Sequence, residues 1–499
     1  MRPLTDVTNF GGTDADNDDI LLQAFEDHEA FLNILALKKH MIIGKKGSGK
    51  TAIFKKIITT KQPDFFAYGH TFTDYPWHFH AKQARIGIPD FDKYTHSWKY
   101  LMLLSAAKIV LNQDQSLPFD DASMENMSRI ESFVVDTYGS RDPDLSQVFS
   151  PTRRLKLKPY FELDWKILKA GVSPESVPVE DLPTIVQEVN DALARRLLRT
   201  LNPNHKYFIA FDQLDLGFDL NSPEYVNRLV GLLLASRDLN LAAKQAGVSL
   251  FTVVFLRDDI YDILHFEDKN KMTENFVSMI EWDTPSTRKT LKALMEKRFA
   301  IVLADHPGEA VTWAMLFNED REMPSHQTKY EHMVDRTYLR PRDIIKFTNC
   351  VLARFKERMA GQPIAHEHTS KIDNADVHNA RPEYSDYFLK EIDDEVHRHL
   401  PIYDRYLDVL RALGKWQFDR SEFDRMYVAN PPDPEVNAVS ALERLYDLSL
   451  LGFYRAGGRG FGGSEYLFKY REGKTRFDPT STRFRVHPGL IEVLGLKRA

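Results

Sequence analysis

The octapeptide Gly44-Lys45-Lys46-Gly47-Ser48-Gly49-Lys50-Thr51 constrains this chain more than any other stretch, because few backbones combine three glycines with a following lysine and hydroxyl residue. Before it, His40 to Ile43 reads as a short buried strand, and after it Ala52 to Ile58 resumes helical spacing, which predicts strand, loop, helix. A loop that feeds a helix N-terminus presents main-chain N–H groups to an anion, and Gly44, Gly47 and Gly49 keep the approach clear of side chains. Lys50 adds a point charge suited to the β- and γ-phosphates of a nucleotide, and Thr51 offers a hydroxyl to Mg²⁺. With Ser48 they form the expected binding set for ATP and Mg²⁺.

The second half of such a site is an apolar strand that ends in an acid, and Tyr207-Phe208-Ile209-Ala210-Phe211-Asp212 supplies one. Asp212 and Thr51 are therefore the expected Mg²⁺ ligands. A glutamate often follows that acid to polarise the attacking water, but here the residue is Gln213, which can orient water and cannot take its proton. Slow hydrolysis is expected. Asp215 is a candidate base or an outer Mg²⁺ partner, and equally a turn acid facing solvent. Arg257 ends the apolar run Leu250 to Leu256, and Arg340-Pro341-Arg342-Asp343 sets a proline at a helix start, with Arg342 in the first turn. These arginines are candidates to fork onto phosphate or, more plainly, to make surface salt bridges.

Strands are also expected at Phe65 to Tyr68 and Val277 to Trp282, and their alternation with helices predicts an α/β fold with a parallel, doubly wound sheet. A helix is expected over Ile20 to Leu37. Helical patterns at Trp98 to Leu111, Met124 to Tyr138 and Leu182 to Leu201 read as an insertion at 91–201. The expected division is a flexible N-terminus (1–19), an ATPase core (20–286), a helical lid (287–360), a linker (361–382) and a winged-helix domain (383–499). The last rests on helices at Ile402 to Leu413, Arg420 to Val428 and Pro434 to Leu451, then β-like runs at Tyr466 to Tyr470 and Arg483 to Val486.

Together, Gly44 to Thr51, Phe211-Asp212-Gln213-Leu214-Asp215, Phe255-Leu256-Arg257-Asp258-Asp259-Ile260 and Arg340-Pro341-Arg342-Asp343 resemble the bacterial STAND and AAA+-like P-loop ATPases. Within them the resemblance is to a group with an Arg-Pro-Arg-Asp lid box, some of whose relatives are found with phage-defence genes. It implies an ASCE/AAA+-like core in which Arg257 senses the γ-phosphate and Pro341-Arg342 forms a nucleotide-sensing lid. Gln213 departs from the commoner acid at its position.

Composition narrows the rest. Hydrophobic content of 43% and charged content of 28% exclude wholesale disorder, and 499 residues suit about three domains at roughly 100–200 each. A net charge of -6 gives no chain-wide basic signature, but from Arg455 to Arg485 eight basic residues face three acidic ones, with Phe461, Tyr466, Phe468, Tyr470 and Phe477 interleaved. This basic ribbon, 455–485, is a candidate contact for nucleic acid. Cys350 is the sole cysteine, which excludes an intrachain disulfide, and apolar runs near Leu229 and Leu250 are too short to span a bilayer. A cytoplasmic protein without membrane contact is expected. The leading expectation is an ATP-driven switch that regulates a defence effector, with a homo-oligomer and a protein effector as partners. Its competitors are an ATP-regulated DNA-binding initiator or loader, and a nucleotide-binding scaffold without hydrolysis.

Overall fold

The computed structural model describes residues 1–71, 90–144, 154–155, 177–178, 182–215, 223–284, 287, 289–360, 371–397, 400–457, 463–472 and 475–497. They form two compact units, one of Asp27–Lys45 with Lys50–Ile280, the other of Met1–Glu26, Lys46–Gly49 and Glu281–Ala499.

The first unit is built on five strands, β1 (Met41–Gly44), β2 (Phe65–Thr71), β3 (Lys206–Asp212), β4 (Ser249–Arg257) and β5 (Val277–Met279). Every pairing is parallel and the order is β2-β3-β4-β1-β5. Each expected strand is present, although the last ends at Met279, short of the expected Trp282. β1, β3 and β4 carry almost unbroken apolar runs because a parallel sheet is covered on both faces, and nearly all their residues are buried. Register sets Gly44 beside Arg257 and Thr71 beside Asp212, so the chemistry-bearing residues gather at the carboxyl edge of the sheet.

Eight helices belong to this unit among the described residues: α1 (Glu29–Leu35), α2 (Lys50–Thr59), α3 (Asp90–Asn112), α4 (Asp121–Tyr138), α5 (Leu182–Thr200), α6 (Pro223–Gln245), α7 (Asp258–Ile263) and α8 (Lys269–Phe276). α3, α4 and α5 occupy the stretch expected as an insertion, yet they share one hydrophobic core with the sheet. Trp98 shows why: its ring meets Phe211 of β3 edge-on at 5.8 Å, and its Nε1 donates to the Arg228 carbonyl of α6 at 2.9 Å. The helix expected over residues 20–37 shortens to α1, which starts where the His28 imidazole accepts from the Ala30 amide. The apolar residues before it serve the other unit, whose boundary falls after Glu26.

The second unit contains α9 (Leu291–Leu303), α10 (Trp313–Leu316), α11 (Lys329–Val334), α12 (Pro341–Met359) and α13 (Asn374–Val396). Its N-terminal residues, expected to be flexible, are tied down: Phe10 is buried, and the Asn349 side chain bonds the Phe10 amide and the Gly11 carbonyl. Asp18 meets Arg298 at 2.6 Å in a buried ion pair. The expected linker is helical from Asn374 onward, since Asp373 and Asp376 form a capping box strong enough to start α13 despite Pro382 inside it. Residues 361–370 of that linker lie outside the described residues.

Then follow α14 (Tyr403–Leu413), α15 (Arg420–Ala429), α16 (Ala438–Asp447) and an antiparallel sheet of β6 (Gln417–Asp419), β7 (Leu451–Arg455), β8 (Glu465–Leu467) and β9 (Arg483–Val486), ordered β8-β7-β9-β6. The helix expected to reach Leu451 stops at Asp447, and Leu451 instead opens the central strand β7. Ser449 is the cause: at φ 61° it turns the chain left-handed, while Leu450 donates to Leu445 and Ser449 to Tyr446, the paired bonds of a Schellman cap. A serine is strained there, so Ser449→Gly should stabilise the protein by about 0.5–1 kcal/mol, read as a higher urea midpoint. A lower midpoint would mean that the serine side chain matters more than the backbone cost.

Candidate phosphate site

The octapeptide runs through both units, and each half can be built from its neighbours. In the first unit Lys50 and Thr51 open α2 directly after β1, while Asp212 ends β3. Burial raises the Asp212 carboxyl above the usual carboxylate range, opposed by a hydrogen bond from Thr51, the Gln213 amide and the charge of Lys50. One of its oxygens, Oδ2, is buried without a hydrogen-bond partner. Lys50 Nζ donates to the carbonyls of Gly44 and Lys45 at 2.8 and 2.9 Å. Burial lowers its proton affinity, and Asp212, Asp258 and Asp215 pull it back up.

Gln213 adopts φ 58°, left-handed for a residue with a side chain. Arg257 caps β4 and is buried; its Nε and Nη2 fork onto Asp259 at 3.0 and 2.6 Å, and Nη1 reaches Asp215 at 3.4 Å. Asp215 therefore faces a cation. Asp258 and Asp259, noted in the sequence beside Arg257 but given no role there, stand in the first turn of α7 and join the group.

In the second unit Gly47 and Gly49 take φ values of +75° and +107°, which a residue with Cβ rarely adopts. A Cβ on Gly47 would also stand 3.1 Å from Cβ of Arg342, so the arginine stem lies on the loop. The Ser48 carbonyl accepts from Trp282 Nε1 at 3.0 Å, while its hydroxyl is buried without a partner. Pro341 is the first residue of α12, as its position after Arg340 predicts. Arg342 donates from Nε to the Thr13 carbonyl at 3.1 Å and from Nη1 to Glu391 at 2.9 Å.

Arg340 is only 1% exposed. It pairs with Asp343 at 3.0 Å and Glu395 at 2.5 Å, and donates to the Lys46 carbonyl at 3.1 Å. Glu391, Asp394 and Glu395 were missed by sequence reasoning, although their i, i+3, i+4 spacing on one helix marks a single face.

Three of the eight basic residues of the ribbon are paired with carboxylates, and Arg483 and Arg485 lie over the rings of Tyr454, Trp416 and Tyr466. Arg455 pairs with Glu465 at 2.6 Å, Arg471 with Asp335 at 2.5 Å and Lys469 with Asp447 at 3.7 Å, while Arg459 and Lys474 lie outside the described residues. Phe468 and Tyr470, expected to face a partner, are buried against His487, and Phe477 packs on Phe453 and Phe484. Tyr466 stays half-buried beside Arg485, and Phe461 lies outside the described residues. The two expected β-runs do not pair with each other; both pair with β7.

No described helix is long and apolar enough to cross a membrane. A search of curated proteins found no match to this chain. Residues 289–393, which span α9 to most of α13 and include Arg340, Arg342 and Glu391, match the FunZ-associated C-terminal helical domain, a family linked with defence-type genes.

Proposed function

We propose that this protein binds ATP with Mg²⁺ through Gly44 to Thr51 and works as a slowly hydrolysing P-loop switch of the STAND/AAA+ type that controls a defence effector. The observation that carries the reading is the convergence of Lys50, Thr51 and Asp212, with a buried carboxylate oxygen left unpartnered beside a hydroxyl. Hard oxygen donors of this kind fit Mg²⁺, with Thr51 and Asp212 as its holders. Bound there, the ion would neutralise charge on the β- and γ-phosphates.

The other residues have separate tasks. Lys50 exchanges two carbonyl acceptors for phosphate oxygens at the N-terminus of α2, where helix-start amides favour an anion. Gln213 can orient a water by its amide without accepting a proton, and Asp215 is drawn toward Arg257 rather than free to act as a base. Turnover should therefore be slow. The strand order, with β4 between β1 and β3, also supports an ASCE-type core. Support for a nucleic-acid partner at 455–485 is weaker, given the paired charges and inward rings. The C-terminal alternation of three helices and a small sheet supports a winged helix used for protein contact.

Calorimetric titration of ATP with and without Mg²⁺ tests the reading. Wild-type protein should bind more tightly with Mg²⁺, and Asp212→Asn should abolish that difference while keeping Mg-free binding. Because Asp212 is buried, the asparagine should also raise thermal stability without ligand. Equal Mg²⁺ dependence in both proteins would remove Asp212 from the site, and absence of ATP binding in the wild type would end the proposal. Phosphate release in the same samples separates a slow ATPase from a scaffold that only binds.

A further inference from the structure

We infer that Glu391 is a positioning residue that sets the affinity of the glycine loop for polyphosphate, by holding Arg342 and Lys46 until a triphosphate takes its place. The inference rests on the proposed nucleotide site. Glu391 Oε2 receives Arg342 Nη1 at 2.9 Å and lies 3.5 Å from Lys46 Nζ, which also meets Asp394 at 3.1 Å. One carboxylate thus serves two cations, and both flank Gly47, one by sequence and the other through its stem.

The two lid arginines are not equivalent. Arg340 is enclosed by two carboxylates and carries the Lys46 carbonyl, which makes it an anchor for the loop backbone. Arg342 and Lys46 keep 21% and 24% of their side-chain surface and share Glu391, so their pairing can be exchanged. A phosphate brought against the Gly47 amide would enter the reach of these cations and the field of Glu391. Like charges so close are costly, and the phosphate would compete with Glu391 for the same charge-assisted bonds of Arg342 and Lys46. Glu391 must give way, and the free energy of that exchange is subtracted from nucleotide affinity. A triphosphate, with more charge than a diphosphate, gains more from the exchange and suffers more from the carboxylate.

The test measures dissociation constants for ATP and ADP by calorimetry on the full chain, in wild type, Glu391→Gln, Glu391→Asp, Asp394→Asn and Lys50→Ala. Glu391→Gln should bind ATP about tenfold more tightly, with a smaller gain for ADP; Asp394→Asn should shift in the same direction by less. Glu391→Asp should restore the wild-type value, which a merely structural role would not require. If wild type binds ATP, Lys50→Ala does not, and both neutral variants stay within twofold of wild type, the inference is overturned and the nucleotide site stands. If no variant binds ATP, the nucleotide site falls and the inference with it. Asp394→Asn keeps the question decidable should Glu391→Gln fail to fold.

Discussion

Lys50→Ala should weaken ATP binding by at least about a hundredfold, a larger loss than that expected from any other single residue of the loop. Two effects act together. The variant loses the ammonium that would meet the phosphates, and it leaves the buried Asp212 carboxyl without the Lys50 charge that opposes its burial. Truncating one member of a desolvated charge group costs about 2–5 kcal/mol, and a hundredfold corresponds to about 2.7 kcal/mol. The sign with pH follows from burial. The Lys50 ammonium gives up its proton below the pH of an ordinary lysine, so ATP affinity should begin to fall on the alkaline side earlier than free lysine would predict. Bound phosphate opposes that loss and moves the fall upward. Binding of ATP by Lys50→Ala within fivefold of wild type would show that the loop is not the phosphate cradle.

What the sequence disclosed and what it hid divide along chain distance. Gly44 to Thr51 and the acid ending β3 are local patterns, because a strand, a glycine turn and a helix start each write their own short signature. Strand positions in the parallel sheet were legible for the same reason: buried on both faces, they read as unbroken apolar runs. Glu391 was not legible, since its bond to Arg342 joins two helices and its bond to Lys46 spans most of the chain. The polar N-terminus misled because composition says nothing about a distant partner such as Asn349. The end of α16 was misplaced because serine at a left-handed position lacks the glycine signal on which helix ends are usually read. Aromatic residues in the ribbon looked like contact residues, but Phe468 and Tyr470 follow the end of β8 and pack on His487, a partner that the local pattern does not reveal.

The N-terminal segment yields the second large effect. Asp18→Ala would strand the Arg298 guanidinium in a site where the two side chains keep only 2% and 4% of their surface, and breaking one partner of such a pair costs about 3–5 kcal/mol. Arg298 would retain its bond to the Phe10 carbonyl at 3.0 Å, and the Gly12 amide would lose Asp18 Oδ1, now 3.1 Å away. Chemical denaturation should therefore show a clearly lower midpoint, and limited proteolysis should cut within residues 1–26 of the variant before any other region. Replacing both partners with apolar residues of similar volume should recover much of the loss, because the cost lies in the unpaired charge rather than in the missing bond. The same lesion should reach the phosphate loop. Thr13, between Gly12 and Asp18, gives its carbonyl to Nε of Arg342, so a detached segment removes one of the contacts that fix that arginine over Gly47. Asp18→Ala should accordingly alter ATP affinity although Asp18 contacts no residue of the loop, and the double apolar variant should restore affinity along with stability. Recovery of stability without recovery of affinity would separate the two, and would show that the segment supports the fold without positioning Arg342.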